Sequence, residues 1–128
     1  MLSISHIDHI VLTVADINTS IDFYTQILGM RKIEFGAQRI ALEFGTQKIN
    51  LHQQATATTP KAAHPTLGSG DICLITKSDI TQVQHELTAK DIPIELGPVM
   101  RTGACGAIVS LYIRDPDANL IEIAQYAD

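Results

Sequence analysis

The chain contains no tryptophan and only three phenylalanines and three tyrosines in 128 residues, so it lacks the rows of aromatic rings on which single-stranded nucleic acids stack. Positive charge is short as well. Nine Lys and Arg against fourteen Asp and Glu leave a net charge of −5, and the basic residues are scattered, which excludes a nucleic-acid partner. Cysteine is scarce: Cys73 falls in a predicted strand and Cys105 in a glycine-rich loop. With no paired cysteine framework and no secretory N-terminus, disulfides are not needed, and a reducing, cytoplasmic setting is expected. Apolar runs are strand-sized and interrupted, which excludes a membrane-spanning helix of about 20 residues. Also missing are G-x-S-x-G, a P-loop and a dinucleotide fingerprint, so nucleophilic and nucleotide chemistry find no motif here.

What is present is enough apolar sequence for one domain, residues 1–128, built of two similar halves. Residues 6–14 alternate, with Ile10, Leu12 and Val14 on one face and Ile7, His9, Val11 and Thr13 on the other. Asp16 caps a helix carrying Ile17, Ile21, Tyr24 and Leu28 at helical spacing, and Gly29 ends it. Strands follow at 31–35, 39–44 and 48–53, giving βαβββ for residues 1–53. Residues 54–70, rich in Ala, Thr, Pro and Gly, read as a linker. The order then recurs over 71–128: a strand at 71–76, a helix capped by Asp79 and stopped by Pro93, and a short strand at 94–96. A glycine-rich loop at 97–106 precedes strands at 107–114 and 120–123.

Superposing the halves sets His9 against Asp71 and Asn50 against Glu122. Each of these polar residues has apolar neighbours that must face the other way, so all four point to one face, together with His52, Tyr112 and Arg114. Glu122 is the sharpest case. Within the strand Leu120-Ile121-Glu122-Ile123, a carboxylate buried alone costs several kcal/mol, so it must meet water, a partner such as Arg114 or Arg101, or a cation. A divalent ion would remove the repulsion between carboxylates and explain the imidazole beside them. One nitrogen among mostly oxygen donors favours Mn²⁺, Mg²⁺, Ni²⁺ or Fe²⁺ over thiolate-rich zinc. Taken singly, a strand histidine is more often a satisfied interior group, and Asp71 is a natural solvated strand end. His52 is a second candidate ligand or acid–base group, His64 a loop histidine able to cover a pocket, and Arg101 an anchor for an anionic substrate group.

The doubled βαβββ layout, the opening IDHIVLTV, the helix SIDFYTQILGM and the closing RDPDANLIEI resemble the vicinal oxygen chelate superfamily: glyoxalase I, fosfomycin-resistance transferases, bleomycin-resistance proteins and extradiol dioxygenases. KINLH, HPTLGSGDICLIT and GPVMRTGACGAIVSLYIRDPD further resemble small glyoxalase-domain proteins, including virulence-associated bacterial ones. The resemblance implies an α+β fold in which two βαβββ modules form a curved eight-stranded sheet around a concave pocket. It also implies one divalent ion (Mn, Ni, Mg, Fe or Zn) held by His9, Asn50, Asp71 and Glu122. His9 and Glu122 match the family pattern, whereas Asn50 and Asp71 replace the more usual glutamate, glutamine or histidine. Where Ala118 stands the family commonly has glycine, and alanine is strained there if the turn needs positive φ.

On that resemblance the chain is a metal-dependent glyoxalase-like enzyme, of lyase, isomerase or dioxygenase type, acting on a small oxygen-rich metabolite. Proton transfer falls to Glu122 or Asp71 with His52 in reserve, and substrate binding to Arg101, Tyr112 and Arg114. The alternatives are a metal-free ligand-sequestering protein of the bleomycin-resistance kind and an iron dioxygenase that recruits His52 or His64. Exposed sheet edges point to a homodimer.

Overall fold

Alternation of apolar and polar side chains gives β1 (His9–Val14) two unlike faces, and the same rule shapes every strand after it. The computed structural model describes residues 1–56 and 58–127; residue 57 of the expected linker and residue 128 lie outside the described residues. The chain divides into two units, Met1–Leu67 and Gly68–Asp128.

In the first unit β1 is followed by α1 (Ile17–Asp22), β2 (Arg31–Phe35), β3 (Arg39–Phe44) and β4 (Gln47–Gln53). They form a four-stranded sheet in the order β1-β4-β3-β2, parallel between β1 and β4 and antiparallel elsewhere. One face buries Leu12, Val14, Leu42, Ile49 and Leu51, and Phe23, Tyr24 and Met30 are buried with them. Each fully buried aliphatic or aromatic side chain contributes about 1.5–3 kcal/mol. Asp16 caps α1 by accepting from the Asn18 N–H, and the Ile17 N–H donates to Gln53 Oε1 at 2.9 Å. The expected single helix is revised: after Asp22 the chain widens into a π-turn over Phe23–Ile27. That wider turn coincides with burial of two consecutive aromatics, Phe23 and Tyr24, packed edge to face with centroids 5.1 Å apart.

The second unit repeats the plan with β5 (Asp71–Ile75), α2 (Ile80–Ala89), β6 (Leu96–Gly103), β7 (Gly106–Arg114) and β8 (Leu120–Tyr126). Its sheet order, β5-β8-β7-β6, is that of the first unit with each strand number raised by four. Ile80, Val83 and Leu87 of α2 are buried, as are Leu111, Ile113, Ile121 and Ile123 of the sheet. Asp79 caps α2 through the Thr81 N–H, and the Ile80 N–H donates to Gln125 Oε1 at 2.9 Å, repeating the part played by Gln53. The eight strands are therefore shared four and four between two mixed sheets, and the α+β class holds. No helix among the described residues is long and apolar enough to cross a membrane.

Two adjoining assignments from sequence fail: of the expected strand at 94–96 only Leu96 is in a strand, and the loop after it gives way to one. The expected loop at 97–106 is largely strand, because β6 starts at Leu96 and absorbs Gly97-Pro98 as an irregularity in its pairing with β7. Gly97 has φ +110°, and a Cβ there would lie 2.5 Å from the Ser110 carbonyl oxygen, so glycine is required by the close strand approach.

The turn into β8 is held by Asp115, buried, whose Oδ1 accepts from the Asp117 and Asn119 N–H groups and whose Oδ2 accepts from Asn119 Nδ2. Asn119 Oδ1 in turn accepts from the Gly70 N–H at 2.7 Å, tying the start of β5 to β8. Within this turn Ala118 has φ +67°, the left-handed region that costs an L-residue about 1–2 kcal/mol. Ala118→Gly is therefore expected to stabilise the protein by about 0.5–1 kcal/mol after glycine's greater unfolded-state entropy is subtracted. The check is a higher urea midpoint at unchanged slope; a lower midpoint contradicts it.

Candidate functional site

Strand register decides which side chains share a face. In the β1–β4 pair His9 lies opposite Lys48 and Val11 opposite Asn50; in the β5–β8 pair Asp71 lies opposite Leu120 and Cys73 opposite Glu122. Within each unit, then, the fourth-strand residue stands two positions beyond the partner of the first-strand residue. His9 with Asn50 repeats the offset of Asp71 with Glu122. Each pair lies on the sheet face opposite the buried aliphatic layer, as the alternation of Ile10, Ile49, Ile72 and Ile121 requires.

In the first unit the His9 Nδ1–H donates to Asp8 Oδ2 at 2.8 Å, and this contact holds the Asp8 carboxyl below its usual range. In the neutral ring this bond selects the Nδ1–H tautomer, the arrangement in which a neighbouring carboxylate orients a metal-binding imidazole through Nε2. Sequence reasoning overlooked Asp8; its only signal was the Asp-His pair in the opening strand. Asn50 is 3% exposed and its Oδ1 has no hydrogen-bond partner. An oxygen left so costs about 1–3 kcal/mol. Two residues along the same face His52 is half-buried, with Nε2 buried and unpartnered. Burial, and then the charge of Arg39, lowers its pKa, so the ring is neutral at pH 7. Arg39 and Lys48 both sit over the Phe35 ring, at 4.6 and 3.7 Å from its centroid, and Arg31 pairs with Glu43. His64 is exposed in the segment after β4.

In the second unit Cys73 stands beside Glu122, and its thiol is pushed up to about 11. Partial desolvation contributes most, followed by the Glu122 carboxylate, which also accepts the thiol hydrogen, and then by Asp71. The residue retains solvent-exposed surface, so its environment is far from sealed. Arg101 and Tyr112 come together: Arg101 Nε donates to the Tyr112 hydroxyl at 3.0 Å, and the guanidinium also lies 5.7 Å from the ring centroid. Arg114 is engaged elsewhere. Its Nε and Nη2 donate to the two oxygens of Glu95 at 2.9 and 3.0 Å, and Nη1 donates to the Ala118 carbonyl. This bidentate pair holds the Glu95 carboxyl below its usual range and raises Arg114 further. Of the partners open to Glu122, neither arginine takes it: Arg114 binds Glu95 and Arg101 binds Tyr112, while Cys73 stands beside the carboxylate.

Within neither unit do three or more His, Cys, Asp or Glu side chains gather closely enough to hold an ion, among the described residues. What each unit offers is a pair of donors. The Asn50 oxygen without a partner and the His9 nitrogen left free by Asp8 are donors suited to a hard or borderline divalent cation, as are the Asp71 and Glu122 carboxylates. In each unit the donor types are ones such an ion accepts, two to a unit.

Residues 6–123 match the family described as the Glyoxalase/Bleomycin resistance protein/Dioxygenase superfamily. Virulence protein STM3117 of Salmonella typhimurium is 56% identical over 123 residues, covering 96% of this chain and 85% of that protein. Glyoxalase domain-containing protein RDO1 of Mycosarcoma maydis is 50% identical over 127 residues, covering 99% of this chain and 72% of that one. Among solved structures, an integron cassette protein from the mobile metagenome of V. cholerae superposes with a TM-score of 0.97 at 52% identity, covering 99% of both chains.

In protein freed of metal by a chelator, Cys73 is expected to react slowly with iodoacetamide at pH 7.5, because so little thiolate is present. Its rate should climb about tenfold per pH unit until the thiol ionises. Glu122→Gln, which removes a charge that opposes ionisation, should accelerate it at neutral pH. Peptide mass spectrometry reads both; a fast, pH-independent reaction at Cys73 contradicts the assignment.

Proposed function

The chain belongs to the Glyoxalase/Bleomycin resistance protein/Dioxygenase superfamily, and we propose that within it the protein is a metal-dependent enzyme of lyase, isomerase or dioxygenase type acting on a small oxygen-rich metabolite. His9, Asn50, Asp71 and Glu122 are its proposed metal ligands. The observation that carries this reading is the equal register of the two donor pairs, together with the buried Asn50 oxygen that no protein group satisfies. A bound divalent ion supplies Lewis-acid stabilisation of negative charge on a substrate oxygen.

The chain's own residues do the rest. Asp8 holds the proton of His9 on Nδ1 and so keeps Nε2 available as a donor. Glu122 or Asp71 accepts a substrate proton as general base, with His52, neutral and poorly solvated, able to exchange one in reserve. Arg101, steadied by the Tyr112 hydroxyl, directs cationic N–H groups at an anionic or oxygen-bearing part of the substrate. Arg114 contributes less to binding than Arg101, because its nitrogens already serve Glu95 and Ala118. A cytoplasmic setting and a homodimer complete the proposal. Both sheets leave an edge at their first strand, with Val11 of β1 and Ile75 of β5 exposed, which favours pairing with a second copy.

The second reading, a ligand-sequestering protein without metal, is favoured by one observation: Asn50 puts a neutral amide where a carboxylate would bind a cation more strongly. Elemental analysis after expression and chelator-free purification separates the two. One divalent ion per chain is expected; His9→Ala should abolish uptake, and Asp8→Ala should weaken it about 10–100-fold, the usual effect of removing a carboxylate that orients a ligand. Protein that takes up no divalent ion, or full occupancy in His9→Ala, would reject the metal assignment.

A further inference from the structure

A cavity of about 210 Å³ lies wholly within the first unit, at the end of the polar face. Thr13 of β1 and His52 of β4 form one wall, and Thr56, Thr58, Lys61 and Pro65 of the following segment form the other. In a chain with fourteen acids to nine bases, no Asp or Glu is among its lining residues, and one ammonium is. The one charged group among its lining residues is thus the Lys61 ammonium, a partner for an anion. The cavity's volume falls below the roughly 300–1,000 Å³ of clefts that hold drug-sized ligands, which limits the occupant to a few carbons.

Hydrogen-bond bookkeeping narrows the class. Gln53, which also borders the cavity, is engaged at both amide atoms: its Oε1 accepts from the Ile17 N–H and its Nε2 donates one hydrogen to the Ala15 carbonyl. The Thr56 hydroxyl donates to the Gln53 carbonyl at 2.9 Å, so in its 3.3 Å contact with Thr58 the donor is Thr58. The groups left to meet a guest are the Lys61 ammonium, the Thr13 hydroxyl and the His52 ring, whose buried Nε2 has no partner. One ammonium matches one negative charge. A phosphate dianion normally draws on several charged or backbone donors, and the start of α1 in the same unit already spends its Ile17 N–H on Gln53.

We propose that this cavity binds a small monocarboxylate bearing a neighbouring hydroxyl or keto oxygen, with Lys61 holding the carboxylate and Thr13 and His52 meeting the second oxygen. The assignment deepens the functional reading, on which it rests for the claim that the guest is substrate; the binding itself requires no metal.

The test is an NMR titration of the whole chain in the presence of EDTA, following the methyl signals of Thr13, Thr56 and Thr58 and the His52 ring. Glycolate is the probe, and 1,2-ethanediol and inorganic phosphate are its comparisons. Glycolate should give saturating shifts at these residues, ethanediol none, and phosphate weaker binding than glycolate. Lys61→Met, at an exposed position, should weaken glycolate about fivefold, and Lys61→Arg should restore most of it. Shifts that do not saturate, or an affinity indifferent to Lys61→Met, overturn the site; tighter binding of phosphate overturns the carboxylate assignment. Because EDTA is present, glycolate binding that persists in a protein shown to take up no metal would keep the site while discarding the enzyme reading.

Discussion

The parallel pairing of first strand with last, β1 with β4 and β5 with β8, is the constraint from which the other features follow. A parallel pair needs a crossover, and in each unit the helix and the intervening hairpin supply it, so the helix covers one sheet face. Side-chain direction is then no longer free. Ile10, Ile49, Ile72 and Ile121 must enter the covered layer, and slipping either pair by one residue would place His9 or Glu122 in the aliphatic core at a cost of several kcal/mol. The Gln53 and Gln125 amides secure this arrangement at the strand ends by binding the first N–H of the helix in their own unit.

Much of this was legible in the sequence, because period-two alternation and helical spacing are imposed by burial and survive in a single chain. The repeat could be recognised from His9-Ile10 against Asp71-Ile72 and from Asn50-Leu51 against Glu122-Ile123, and the strand registers coincide with it. Ala118, which stands where the resembled family commonly has glycine, does take positive φ. Other features depend on tertiary contacts. Gly97-Pro98 carries the composition of a loop, yet the approach of β7 makes it a strand irregularity. The π-turn at Phe23–Ile27 leaves no mark in hydropathy. Neither the Asp8–His9 bond, the Glu95–Arg114 pair nor the glutamine caps could be read from spacing, since each depends on a rotamer choice made after the strands have paired.

The same constraint explains why a shared architecture does not fix a reaction. The sheets determine where four polar side chains stand, but not what they are, and a fold of this kind hosts unrelated chemistries by changing those few residues. Here the substitutions are specific: an amide at Asn50 and a carboxylate at Asp71 give a softer demand on charge in the first unit and a harder one in the second. Around them Cys73 stays a thiol, His52 stays neutral, and the cationic groups are distributed among Phe35, Tyr112 and Glu95. In each unit, then, the face bearing these residues is polar without being strongly charged.

The central proposal is that His9, Asn50, Asp71 and Glu122 are ligands of a divalent ion. Paramagnetic broadening by Mn²⁺, followed residue by residue in the amide spectrum, addresses it most directly. The account predicts that substoichiometric Mn²⁺ broadens His9, Asn50, Asp71 and Glu122 together, with one half-saturation point for both units. Broadening confined to one unit, or beginning at exposed carboxylates such as Asp22 and Asp91, would contradict it.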